Sequence, residues 1–118
     1  MGYSLLIVEA DGAARGNPGL AAYGAVVRDP ESDAVLAEVA EALGIATNNV
    51  AEYRGLIAGL RAAKAIDPDA AIEARLDSKL VVEQMSGRWK IKHPALRPLA
   101  LEAAALARPG RVTYRWVP

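Results

Sequence analysis

Three carboxylates set in short polar contexts are the residues of this chain best suited to chemistry. Asp11 closes an apolar run and opens Asp11-Gly12-Ala13-Ala14-Arg15-Gly16-Asn17-Pro18-Gly19; Glu52 ends Thr47-Asn48-Asn49-Val50-Ala51-Glu52; Asp77 heads Asp77-Ser78-Lys79-Leu80-Val81-Val82. Gathered in one place, three acids repel one another unless cations neutralise them. The chain has no cysteine and a single histidine, so the available ligands are hard oxygens, which select Mg²⁺ or Mn²⁺. Two such ions about 3.5 to 4 Å apart activate a water, stabilise a leaving oxygen and clamp an in-line displacement at phosphorus. Each acid also has a plainer role open to it. Asp11 suits a turn before Gly12, Glu52 suits the far half of a capping box begun at Asn49, and Asp77-Ser78 suits the cap of a following helix.

The neighbouring residues add groups for a polyanion. Arg15-Gly16-Asn17-Pro18-Gly19 reads as a loop whose backbone N–H groups approach a phosphate or ribose, or simply as a hairpin connection. Thr47, Asn48 and Asn49 offer a hydroxyl and amides at a helix start, where they cap, bind a phosphate or read a 2′-OH. Farther on, Arg88, Trp89, Lys90 and Lys92 form a modest basic and aromatic stretch. Trp89 there supports a sugar or base while the cations meet phosphates, or else it packs on a helix above solvated cations. His93, just before Pro94, reads as a cap-region residue.

These residues need elements to position them. Leu5 to Val8 is continuously apolar, as in a central strand buried on both faces, which places Asp11 at or near a strand end. Ala21 to Arg28 and Ala34 to Glu41 read as two more strands joined by a turn over Asp29-Pro30-Glu31-Ser32-Asp33. From Asn49 the period changes: Val50, Tyr53, Ile57 and Leu60 line one helical stripe, and the helix should stop near Ile66. Ile72, Ala74 and Leu76 alternate with Glu73, Arg75 and Asp77, a strand with Asp77 on its wetter face at the carboxyl end. A short helix from Ser78 to about Ser86 follows, then one opened by Pro94 and ended by Pro109-Gly110, then a last strand alternating Val112, Tyr114 and Trp116. Hairpins imply antiparallel pairing and helical crossovers imply parallel pairing, so a mixed α/β sheet is expected. If the Asp77 strand lies parallel beside the first, Asp11 and Asp77 emerge at one carboxyl edge and a helix starting after Asn49 can aim Glu52 at the same spot.

Composition fits this plan. The 118 residues suit one domain, 53% are hydrophobic and 24% charged, and no run approaches the ~20 apolar residues that span a bilayer. Absence of cysteine and of a signal-peptide pattern makes a reducing cytoplasm the default. Fourteen basic and fourteen acidic residues cancel, which argues against strong non-specific polyanion binding; any nucleic-acid contact is local.

Taken in order, the Asp11, Thr47 to Glu52 and Asp77 segments resemble type 1 ribonuclease H over nearly the whole chain. The resemblance implies a five-stranded mixed sheet, order 3-2-1-4-5, with helices on both faces, and an endonuclease that cuts the RNA strand of RNA/DNA hybrids with two Mg²⁺ or Mn²⁺ ions. By position, Asp11, Glu52 and Asp77 correspond to the first three metal-binding carboxylates, with the Gly12 carbonyl close to the metals. Asn17, Asn48 and Asn49 correspond to groups touching the hybrid's sugars and bases, Thr47 to a DNA-phosphate contact, and Ser78 to a further hybrid contact. Arg15, Gly16, Trp89 and Lys90 complete the expected substrate surface of a monomer. In the family a fourth carboxylate follows the last strand, in a loop and terminal helix. Glu102 is the last acid here, so residues 1–118 are expected to be a ribonuclease H domain truncated before its last helix. The deficit leaves a non-catalytic hybrid-binding module of the same fold as the alternative. The run from Asn48 to Leu60 is most similar to bacterial forms in which a carboxyl-terminal phosphatase domain follows.

Overall fold

In the computed structural model, which describes residues 2–107 and 110–118, the apolar run before Asp11 opens a twelve-residue strand, β1 (Leu5–Gly16). It turns into β2 (Gly19–Arg28), and β3 (Val35–Ala46) completes an antiparallel meander. Helix α1 (Asn48–Ile66) then crosses over to β4 (Ala71–Leu76), which pairs parallel with β1. Helices α2 (Lys79–Met85) and α3 (Arg97–Leu106) lead to β5 (Val112–Trp116), parallel to β4. The sheet order is β3-β2-β1-β4-β5, the mixed five-stranded arrangement expected.

Alternation along the strands decides which face is covered. Leu6, Val8 and Ala10 stand in register with Ile72, Ala74 and Leu76, and all six are buried in one core. That core also takes Tyr53, Leu56, Ile57 and Leu60 from α1, Val81 and Val82 from α2, and Leu99, Ala100 and Ala103 from α3. Fully buried leucines such as Leu56 and Leu60 each contribute roughly 1.5–3 kcal/mol of transfer free energy. The expectation of helices on both faces is corrected here. Among the described residues all three helices pack into one core on one face, while the opposite face mixes apolar positions such as Ile7 and Val26 with charged ones. Glu9 pairs with Arg28 at 2.5 Å and Glu73 with Arg75 at 2.6 Å, groups that remain half-solvated rather than pack under a helix.

Three boundaries differ from the sequence reading: β3 runs on to Ala46 rather than stopping at Glu41, and two more concern β1 and the last helix. Asp11 does not end a strand, because pairing with β2 continues to Gly16–Gly19; only the parallel pairing with β4 stops, at Ala10–Leu76. The last helix begins at Arg97 rather than Pro94, with Pro98 as its first-turn proline. Its expected stop at Pro109 lies outside the described residues. No helix among the described residues is long and apolar enough to cross a membrane.

Candidate active site

The end of the β1–β4 pairing builds the first half of the site. Asp11 is the residue after Ala10 and Asp77 the residue after Leu76, and Ala10 and Leu76 are register partners. Parallel strands ending together put both acids at one edge. Glu52 arrives from α1, and how it arrives depends on Gly12. A Cβ at Gly12 would meet the Ala51 carbonyl and would lie 2.7 Å from the Glu52 nitrogen, so only glycine lets the helix come this close. The Gly12 N–H donates to Glu52 Oε1 at 3.1 Å, which fixes that carboxylate beside β1. One ligand oxygen from each of Asp11, Glu52 and Asp77 falls within a set whose members all lie within 4.8 Å of one another.

The plainer roles open to these acids sort themselves out in the structure. Thr47, not Asn49, caps α1, accepting the Val50 N–H at 3.2 Å, so Glu52 is not part of a capping box. Ser78 caps α2, accepting the Val81 N–H at 3.3 Å, so the Asp77 side chain is free of that duty. Asp11 lies within β1 and is no turn residue.

Among the described residues, no cation contributes to the electrostatics of the acid cluster. Glu52 is 92% covered (8% exposed), and its Oε2 is buried with no hydrogen-bond partner among the described residues. Burial first, then the charges of Asp77 and Asp11, push its pKa up to about 8 against the opposing Gly12 N–H. Burial, and next the charge of Asp11, also raise Asp77. An all-oxygen donor set with an orphaned carboxylate oxygen fits a divalent cation, which supplies the missing charge and bonds.

Beside the cluster, the β1–β2 hairpin is stapled to the start of α1. The Ala14 N–H donates to Asn48 Oδ1 at 2.7 Å, and the Asn48 N–H donates to Asn17 Oδ1 at 3.0 Å. Backbone N–H groups must meet oxygens, so each amide is oriented with its oxygen inward, and each NH₂ remains to donate. The structure thus brings Asn17, Thr47 and Asn48 together, with exposed Asn49 in the same helical turn. Arg15 and Gly16 belong to β1 rather than to a loop, and only Asn17-Pro18 forms the turn, with Gly16 at φ 83°. Gly12 enters through its N–H, as described.

Trp89 and Lys90 stand apart. Among the described contacts none joins them to the carboxylates; the Lys90 carbonyl accepts from Gln84 Nε2 at 3.4 Å, and Gln84 Oε1 accepts the Tyr53 hydroxyl at 2.7 Å. Their loop is therefore tied to the residue after Glu52. His93 Nδ1 accepts the Ala95 N–H at 3.1 Å in the turn before α3; the helix itself is entered at Leu96 without a side-chain cap, so the expected cap role falls to no side chain. The sequence reading missed Gly55 and Gly59, the pairing of Tyr53 with Gln84, and the bond of Trp116 to Asp77. Glycines four apart on a helix's apolar stripe are a signal for close packing; a buried tyrosine and glutamine leave none.

Fold and site together define a ribonuclease H-like domain. Residues 9–118 match the family model described as reverse transcriptase-like, and the N-terminal ribonuclease H domain of Rv2228c from Mycobacterium tuberculosis superposes with a TM-score of 0.92 at 56% identity, covering 97% of this chain and 87% of that one. The chain belongs to the ribonuclease H family, type 1. RNase H1 of Halobacterium salinarum follows at TM-score 0.89 and 40% identity, with 97% and 86% covered. LC11-RNase H1, solved in complex with an RNA/DNA hybrid, has a TM-score of 0.88 at 36% identity, with 96% and 85% covered. Against the complete bifunctional protein Rv2228c the identity is 59% over 115 residues, 96% of this chain but 31% of that protein.

Proposed function

We propose that this domain is an endonuclease that hydrolyses the RNA strand of RNA/DNA hybrids at a centre holding two Mg²⁺ or Mn²⁺ ions. The observation that carries the reading is the three-carboxylate set within 4.8 Å, with one Glu52 oxygen buried and unpartnered among the described residues. Bound there, the ions would supply Lewis acidity and an activated water for in-line attack at phosphorus. Asp11, Glu52 and Asp77 would hold them, with Gly12 keeping Glu52 in place. The outward NH₂ groups of Asn17 and Asn48 suit the acceptors of a minor groove and the oxygen of a 2′-OH. Thr47, Asn49, Arg15, Gly16 and Ser78 extend this contact surface towards the phosphates. Trp89 and Lys90 would reach a more distant part of the duplex. A neutral chain fits recognition by shape and local contacts rather than by bulk charge.

Support for the intact protein comes from its bifunctional relative. We extend the proposal to a monomeric cytoplasmic protein with a second, carboxyl-terminal phosphatase domain. A gel assay with labelled RNA/DNA, RNA/RNA and DNA/DNA duplexes tests the nuclease reading. Cleavage confined to the hybrid's RNA strand, dependent on Mg²⁺ or Mn²⁺ and lost in Asp77→Asn, is expected. Hybrid binding without cleavage would overturn it in favour of a binding module.

A further inference from the structure

Two of the three carboxylates are held by regular structure. Asp11 lies inside β1, paired with Gly24, and Glu52 lies inside α1 and is bonded to the Gly12 N–H. Asp77 alone occupies a joint, between the last residue of β4 and the cap of α2. The α2 ladder does not use its carbonyl, since the Val82 N–H donates to the Ser78 carbonyl at 3.1 Å. The β1–β4 pairing ends one residue earlier, at Leu76. A carbonyl in that position needs a partner from elsewhere.

Trp116, the last residue of β5, provides it: the indole Nε1–H donates to the Asp77 carbonyl at 3.0 Å. Next to it, the Val117 N–H donates to the Leu76 carbonyl at 2.8 Å. The end of β5 therefore grips residues 76 and 77 together. Trp116 is 43% exposed, so core filling does not account for a tryptophan here. Its ring also carries the Lys79 ammonium 5.2 Å from the centroid, a cation–π contact between β5 and the first residue of α2.

We propose that Trp116 is a positioning residue for Asp77, holding that backbone so that the carboxylate meets Asp11 and Glu52 in the geometry a divalent ion requires. The proposal rests on the reading of the cluster as a metal centre. Groups that orient a ligand without touching the metal typically change metal affinity by 10- to 100-fold, roughly. A single bond to a ligand's backbone belongs at the lower end.

Calorimetric titration with Mn²⁺, without hybrid, compares the wild type, Trp116→Phe and Asp77→Asn. Phenylalanine keeps an aromatic ring beneath Lys79 but lacks the N–H. Trp116→Phe is expected to bind Mn²⁺ about tenfold more weakly, with kcat on the hybrid lowered, KM unchanged and kcat partly recovered at high Mn²⁺. Unaltered Mn²⁺ affinity and kcat in Trp116→Phe, with binding lost in Asp77→Asn, would overturn the positioning role alone. Mn²⁺ binding unaffected by Asp77→Asn would sink the metal centre itself. A measurement on the unmodified protein guards against a misfolded variant: the Trp116 indole N–H resonance, assigned by its persistence in Trp89→Phe, should shift saturably with Mg²⁺. An indole resonance indifferent to Mg²⁺ that calorimetry shows to be bound would refute the proposal.

Discussion

Removing the charge of Glu52 while keeping its shape should change how stability depends on pH. In Glu52→Gln the amide oxygen still accepts the Gly12 N–H that Glu52 Oε1 accepts at 3.1 Å, so the substitution isolates the charge. The carboxyl's pKa is pushed up to about 8 from an ordinary 4.5, chiefly by burial. Between those values the folded chain keeps a proton that the unfolded chain releases. Stability from this group is therefore fully present below pH 4.5, declines as pH rises through the window, and is lost above about 8. At ~1.4 kcal/mol per pH unit the loss has an upper limit of roughly 5 kcal/mol, and relaxation and water entry bring the expected figure to roughly 2–3 kcal/mol. Asp77 is raised in the same sense, which leaves a smaller slope at the acid end in the variant. Urea denaturation followed by circular dichroism in EDTA, from pH 5.5 to 8.5, measures this. The wild type should weaken steadily, Glu52→Gln should be nearly flat above pH 6, and the variant should be the more stable protein at pH 8. Adding Mg²⁺ or Mn²⁺ should restore the wild type at pH 8, by about 2.7 kcal/mol at a hundred times the dissociation constant. Parallel slopes for the two proteins between pH 6 and 8 would refute the reasoning.

Three other outcomes follow from the packing and the hydrogen bonds. Gly59→Ala directs a methyl group at Val8 Cγ1 in a buried contact; it should cost about 1–3 kcal/mol by urea denaturation, and lower activity by lifting the helix that carries Glu52. Tyr53→Phe leaves Gln84 Oε1 buried without the hydroxyl it accepts at 2.7 Å, for about 1–3 kcal/mol. Because Gln84 also reaches the Lys90 carbonyl, KM for the hybrid should rise more than kcat falls. Asn48→Ala strands the Ala14 N–H and removes an outward donor. It should cost about 1 kcal/mol of stability, while KM rises several-fold and Mn²⁺ affinity measured without hybrid stays the same.

Much of the fold was legible because each element carries its own period. The stripe Val50, Tyr53, Ile57 and Leu60 gave α1 nearly to its ends at Asn48 and Ile66. The alternation around Ile72, Ala74 and Leu76 gave β4 and the place of Asp77 just past it. The misjudged boundaries fall where no local period applies. β1 outruns its apolar stretch because β2 supplies hydrogen-bond partners to the small residues Ala13, Ala14 and Gly16 and to the charged Arg15. Pro94 resembles a helix start as much as Pro98 does, and only packing of Leu96 and Leu99 in the core chooses between them.

The chain alone determined which atoms are available: three carboxylates in distinct contexts, no thiolate, balanced charge, and glycine where a strand must accept a helix. It left open whether Glu52 capped a helix, whether Asn17 and Asn48 faced each other, and what held Asp77. Those questions turn on contacts spanning 31 to 40 residues, such as the Asn48 N–H to Asn17 bond, Glu52 to Gly12 and Trp116 to Asp77. Periodicity reports only a residue's neighbours along its own element. Tertiary structure decided the rest because the close approach of α1 to β1, and of β5 to the end of β4, is a property of the packed sheet and of no single segment.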